Sequence, residues 1–272
     1  MTKAGSSAAT AVGRGAVRQS KSTTATRRVD GAKANARTNP RSTFSALRRA
    51  YPDAHCELKH RDPFELLVST VLSAQSTDVS VNAVTPELFR LWPNPKRLAR
   101  ADLADVEKVL ARLGMFRQKA RHIVQLSQAL VRDHGGVVPR SLDELVRLSG
   151  VGRKTANVVL GVAFGAPEGV VVDTHVQRLS QRLGWTEHSD PAKIERDLMK
   201  LFVPTDWDAL SHTLIFHGRR CCTARKPDCA ACPVKTQCPS AFAGELVGRK
   251  PAAKRKTAAR GSPGVARKAR PR

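Results

Sequence analysis

Aromatic residues make up only 4% of the 272-residue chain, so its core must rest on Leu, Val and Ala rather than on rings. No stretch approaches the ~18–20 consecutive apolar residues of a membrane span. The opening residues, MTKAGSSAATAVGRGAVRQS, lack the apolar region of a secretory signal; their basic, Ser-rich, acid-poor composition fits a transit peptide or, more simply, a disordered basic arm of a cytosolic chain. Clear β-hairpin signals are also missing. Acidic residues are scarce: 23 Asp and Glu stand against 47 Lys and Arg, a net charge of +24. A surplus that large implies a polyanionic partner, nucleic acid or an anionic membrane surface.

The charge is unevenly placed. Residues 1–41 carry nine bases and one acid, and residues 241–272 carry ten bases and one acid. Both segments are rich in Ala, Ser, Thr and Gly without apolar periodicity, and are expected to be disordered basic tails that meet phosphates without sequence preference. The body, 42–240, keeps a net charge of +7.

That body reads as helical. DPFELLVSTVLSAQ places Phe64, Leu67, Val68, Val71 and Leu72 at helical spacing, with Asp62 as the N-cap and Pro63 at the first helical position. TDVSVNAVTPELFRLW is helical too, with a kink or break expected at Pro86. DLADVEKVLARLG should run to Gly114, and SLDELVRLSG should pack through Leu142, Leu145, Val146 and Leu148. GVVVD, 169–173, fits either a short strand or a buried extended linker. The fold class is all-α.

Five of the six cysteines lie within CCTARKPDCAACPVKTQC, 221–238. From Cys222 the spacing is C-x6-C-x2-C-x5-C through Cys229, Cys232 and Cys238, four thiols near enough in sequence to converge on one metal centre. Disulfides do not fit a chain without a secretion signal. Zinc and a [4Fe–4S] cluster both take four thiolates, and the spacing does not choose between them. Cys221 reads as a bystander. Arg225 and Lys226, in the loop between the first two ligands, are candidate phosphate contacts or a plain solvated pair.

The stretch GVGRKT, 150–155, is not a phosphate-binding loop of the nucleotide-hydrolase kind, because only one residue separates its glycines and Arg153 intervenes before Lys154. It lies between two helical patterns, so it reads as a helix–hairpin–helix whose turn, at Gly150 and Gly152, aims backbone N–H groups at a DNA phosphate. Lys154 falls in the first turn of the second helix. There it is either another phosphate-contacting cation or a nucleophile. An amine must be neutral to attack, and the helix N-terminus and neighbouring Arg153 both work against a second positive charge. Asp173, after an apolar run, is either the carboxylate that serves such a lysine or a helix N-cap.

Taken together, LSAQSTDVSVN (72–82), LSGVGRKTANVVL (148–160), VVDTHVQR (171–178), HGRRCCTARKPDC (217–229) and the four-cysteine spacing resemble the endonuclease III family of helix–hairpin–helix DNA glycosylase/AP lyases. The resemblance implies a six-helix barrel domain over 56–167, an iron–sulfur cluster domain over 42–55 and 168–240, and a DNA cleft between them. It implies a [4Fe–4S] cluster on Cys222, Cys229, Cys232 and Cys238. It places the catalytic lysine on Lys154 and the catalytic aspartate on Asp173. Gln75 falls on the glutamine that fills the gap left by an extruded base, and Met115 on the wedging residue, where the family has leucine. Ser149 stands where the family usually has proline. Gly150, Gly152, Arg153, Arg225 and Lys226 complete the DNA-contacting set. The implied activity is excision of oxidised pyrimidines from double-stranded DNA, with β-elimination at abasic sites through a lysine Schiff base. A monomer acting at the nucleoid in the cytoplasm is expected. An adenine-mismatch glycosylase of the same fold, a non-enzymatic DNA-binding metalloprotein and a redox iron–sulfur protein are the alternatives, the last disfavoured by the net charge of +24.

Overall fold

The computed structural model describes residues 39–247, so most of both basic tails lies outside the described residues. Eleven α-helices and no strand occur among them. The helices are α1 (Pro40–Ala50), α2 (Pro63–Leu72), α3 (Asp78–Leu91), α4 (Pro95–Leu98), α5 (Leu103–Leu110) and α6 (Phe116–His134), then α7 (Leu142–Leu145), α8 (Arg153–Phe164), α9 (Thr174–Arg182), α10 (Pro191–Leu201) and α11 (Trp207–Arg220).

Most starts follow from the sequence. Asp62 accepts from Glu65 N at 2.9 Å with Pro63 at the first position. Asn39 caps α1 in the same way, so the first helix begins at Pro40, inside the segment read as a tail. At the other end, Gly244–Leu246 forms a 3-10 turn, also within a segment read as tail.

Three local expectations change. Helix α3 passes through Pro86 without a break. Pro86 lies on the exposed face, while Val84, Thr85, Leu88 and Phe89 bury the opposite one, so packing holds the helix while the missing N–H falls on the solvent side. Helix α5 stops at Leu110 and residues 111–115 turn instead. Val146 is 39% exposed at the end of α7 rather than packed. GVVVD is the extended linker: Val170 and Val171 are buried, and Val171 N donates to Ser211 Oγ at 3.1 Å.

Helix α2 is buried on every side from Phe64 to Leu72, as its nearly uninterrupted apolar run requires, and packs against α3, α6 and α8. It is the axis of one hydrophobic cluster that gathers residues from Leu58 to Leu160. A second cluster joins Phe44 and Leu47 of α1 to residues from Val170 to Val234, with three of the cysteines packed against it. The two are tied by an ion pair. Glu195 of α10, 7% exposed, accepts from the Arg153 guanidinium at 3.0 Å and from Asn157 Nδ2 at 3.3 Å.

Candidate active site

Lys154 and Asp173 line one cavity of about 440 Å³. Its walls come from the α1–α2 connection (His55, Cys56, Glu57), the ends of α2 and α3 (Thr70, Asp78), and α11 (Ser211, His212, Arg219). Lys154 projects from the first turn of α8 and is exposed. Asp173 is half-buried at the start of α9. Its Oδ1 accepts from His175 N and Val176 N, both at 2.8 Å. It is therefore the N-cap that the sequence also allowed, and both cap bonds use one oxygen, leaving Oδ2 for the cavity.

A third carboxylate stands with them. Asp78, at the first position of α3, is half-buried and accepts from Arg219 Nη2 at 2.9 Å. Burial pushes its carboxyl up, Lys154 pulls it down and Asp173 pushes it up again, so the three groups share one electrostatic field. Arg219 also engages Glu57. Sequence reasoning missed Asp78, Glu57 and Arg219 as site residues. Asp78 and Arg219 nevertheless lie inside LSAQSTDVSVN and HGRRCCTARKPDC. His175, beside Asp173, has its pKa lowered by burial against the pull of Asp173.

The hairpin between α7 and α8 is tight. Val151 N bonds Leu148 O at 3.1 Å, and Gly150 has φ +78°. A Cβ at Gly150 would meet His122 Cβ at 2.9 Å and Val71 Cγ1 at 3.2 Å, so the backbone lies directly on α6 and α2. Gly152 caps α8 without a side-chain bond, so the first-turn N–H groups keep an open positive end. Gly150→Ala should therefore lower both the melting temperature and the affinity for duplex DNA, the strained φ alone costing about 1–2 kcal/mol. Thermal unfolding and fluorescence anisotropy read the two effects. Arg153, expected to face DNA, turns its guanidinium to Glu195.

Four non-glycine residues among those described have positive φ: Gln75 at 53°, Met115 at 56°, Lys226 at 51° and Phe242 at 62°. The first three are residues for which the sequence implied DNA contact. Gln75 is exposed at the tip of the α2–α3 turn, Met115 is 44% exposed at the N-cap of α6, and Lys226 is exposed in the cysteine loop beside Arg225. Such left-handed residues gather where a side chain must be aimed against backbone preference.

Residues 68–204 match the HhH-GPD superfamily base excision DNA repair protein family. The chain is 50% identical over 197 residues to endonuclease III of Synechocystis sp., which covers 72% of this chain and 90% of that protein. It is 47% identical to endonuclease III of Bacillus subtilis, covering 69% and 86%, and 39% identical to that of Escherichia coli, covering 72% and 92%. The chain belongs to the endonuclease III family. It is a base excision DNA repair protein, placed by that membership among the DNA glycosylase/AP lyases. The fold agrees. A solved structure of a trapped endonuclease III–DNA covalent intermediate superposes with a TM-score of 0.70 at 44% identity, covering 76% of this chain and 95% of that one. A thermostable thymine-DNA glycosylase shares the fold alone, with a TM-score of 0.65 at 21% identity.

The endonuclease III-type cysteine loop folds onto α9 and α11. Cys222, Cys229, Cys232 and Cys238 line one cavity together with Arg182, His217 and Val234. Two buried arginines on α9, unassigned from sequence, hold the loop. Arg182 donates to Cys222 Sγ at 3.2 Å and to Thr223 O at 2.8 Å, and Arg178 donates to Gly218 O and Cys222 O, both at 3.0 Å. Cys221 is closer than a bystander. His217, Cys221 and Cys232 bring ligand atoms within 4.8 Å of one another, and Cys221 Sγ donates to Asp228 O at 3.3 Å. Burial pushes the Cys221 thiol up to about 12 and the Cys238 thiol up to about 11, with neighbouring cysteines adding to both shifts. Soft donors that oppose one another's ionisation in one cavity, beside a guanidinium, fit a thiolate-bound metal centre.

No helix among the described residues is long and apolar enough to cross a membrane.

Proposed function

We propose that this chain excises oxidised pyrimidines from duplex DNA and cuts the strand at the resulting abasic site, with Lys154 as nucleophile and Asp173 as its carboxylate. The observation that carries the reading is the shared cavity of Lys154 and Asp173 beside the uncapped hairpin end of α8. A phosphate held by the amides around Gly150 and Gly152 would set the neighbouring sugar within reach of Lys154. Gln75 and Met115 enter the gap as the damaged nucleotide leaves the stack. The neutral Lys154 amine bonds to C1′, the glycosidic bond breaks, and the electron pair and a proton leave with the base. Asp173 faces the positive charge that develops on the sugar. Ring opening gives a Schiff base, and loss of a C2′ proton expels the 3′ phosphate. That a relative of this chain is known as a trapped covalent intermediate with DNA supports a covalent route.

Cys222, Cys229, Cys232 and Cys238 are assigned to a [4Fe–4S] cluster. When bound, it supplies a four-point anchor for the loop that displays Arg225 and Lys226. The two hydrophobic clusters support a barrel domain over 56–167 and a cluster domain over 42–55 and 168–240. The protein is assigned to the cytoplasm, acting as a monomer at the nucleoid.

Borohydride added during incubation with duplex DNA carrying thymine glycol or an abasic site should give a covalent adduct with the wild-type chain. The absence of an adduct with both substrates overturns the lyase assignment. Release of adenine from a mismatch without a covalent adduct transfers the chain to the alternative branch. Fresh protein should be brown, and colourless protein containing zinc overturns the cluster.

A further inference from the structure

Helix α6 touches each of the DNA-facing loops of the barrel. Met115 is its N-cap. One turn on, Lys119 is 3% exposed, and its Nζ donates to Ser76 Oγ at 2.6 Å, next to Gln75. One further turn on, His122 Nδ1 lies 2.9 Å from Ser149 Oγ, and Ser149 Oγ donates to Gln125 Oε1 at 2.7 Å. Residues 115, 119, 122 and 125 fall along one face of the helix. A buried ammonium bonded to a serine hydroxyl is a costly arrangement to keep unless the loop it holds must stay in place. Burial lowers the Lys119 pKa, and no carboxylate raises it in compensation.

Ser149 completes the pattern. The Leu148–Val151 turn has Ser149 at its second position and Gly150, at φ +78°, at its third, the geometry of a type II turn. Proline at the second position would fix that turn by its ring. Serine leaves φ free, and its hydroxyl is instead anchored to two side chains of α6.

We propose that α6 is the register of the DNA-reading surface. Lys119 and the His122–Gln125 pair are positioning residues that hold the Gln75 turn and the hairpin at fixed separation from Met115. This rests on the reading that those three loops meet DNA. A duplex offers its phosphates and its gap at set distances, so a displaced loop loses its contact. A flexible single strand adapts to loops that have moved.

The test uses the full chain, a duplex bearing a tetrahydrofuran abasic analogue, and the same strand unpaired. Lys119→Met and Ser149→Ala should each raise the duplex Kd about tenfold and the single-strand Kd no more than about twofold, in line with the sensitivity of rigid sites to ångström displacements. Ser149→Pro, whose ring fixes the turn without the hydroxyl, should recover part of the duplex affinity that Ser149→Ala loses. Equal losses on both forms of DNA, no loss on duplex, or Ser149→Pro as weak as Ser149→Ala would each overturn the proposal. A wild-type chain that binds both forms but gives no borohydride adduct on a separate duplex with a natural abasic site, which has the C1′ aldehyde that tetrahydrofuran lacks, would end the Lys154 assignment, while the Kd ratios would still decide the role of α6.

Discussion

Lys154→Gln should abolish the borohydride-trapped adduct and lower strand cleavage at an abasic site by at least ~10³-fold, the scale of removing a reacting group. Duplex binding should persist, because the amides around Gly150 and Gly152 do not depend on the side chain and glutamine retains most of its length. Lys154 is exposed at the cavity wall and, among the described residues, its side chain has no hydrogen bond or ion pair, so thermal unfolding should change little. Denaturing electrophoresis after reduction reads the adduct directly. A wild-type yield of adduct from the variant would demote Lys154 to a phosphate contact and require another amine, and the cavity offers none among the described residues.

Asp173→Asn should lower excision by roughly 10²-fold with little change in melting temperature. The two roles of Asp173 separate in this substitution. Asparagine keeps an acceptor for His175 N and Val176 N, and asparagine caps helices as well as aspartate does. What disappears is a negative charge in the cavity that Lys154 also lines. Asp173→Ala removes both, so it should add about 1 kcal/mol of destabilisation to the same catalytic loss. Single-turnover excision from thymine glycol duplex and a parallel unfolding curve give the two readings. If Asp173→Asn excises normally while Asp173→Ala fails and melts early, Asp173 is only a cap.

What the sequence made legible was local. Asp62 and Pro63 announce the start of α2, the paired glycines announce the hairpin, and the cysteine spacing announces four thiols that line one cavity. The residues it missed act through partners far along the chain. Lys119 meets Ser76 across 43 positions, Arg182 meets Thr223 across 41, and Arg219 meets Asp78 across 141. Helical periodicity marks Lys119 only as one more base on an amphipathic helix, and nothing local says that its ammonium is buried. Arg153 has a second partner that the sequence did not show for the same reason. Its neighbours pointed to DNA, while its partner, Glu195, lies 42 positions on. Pro86 shows the converse, a strong local breaker overruled by what the rest of the fold packs against it.

The left-handed backbone at Gln75, Met115 and Lys226 sets stability against use. Each such residue costs an L-amino acid ~1 kcal/mol that glycine would not incur. Glycine at all three positions would give a protein that melts later and has no side chain for the contacts proposed with the duplex and its phosphates. A selection for thermal resistance alone would drift toward those glycines, and in this chain a rise in melting temperature would then mark the loss of repair.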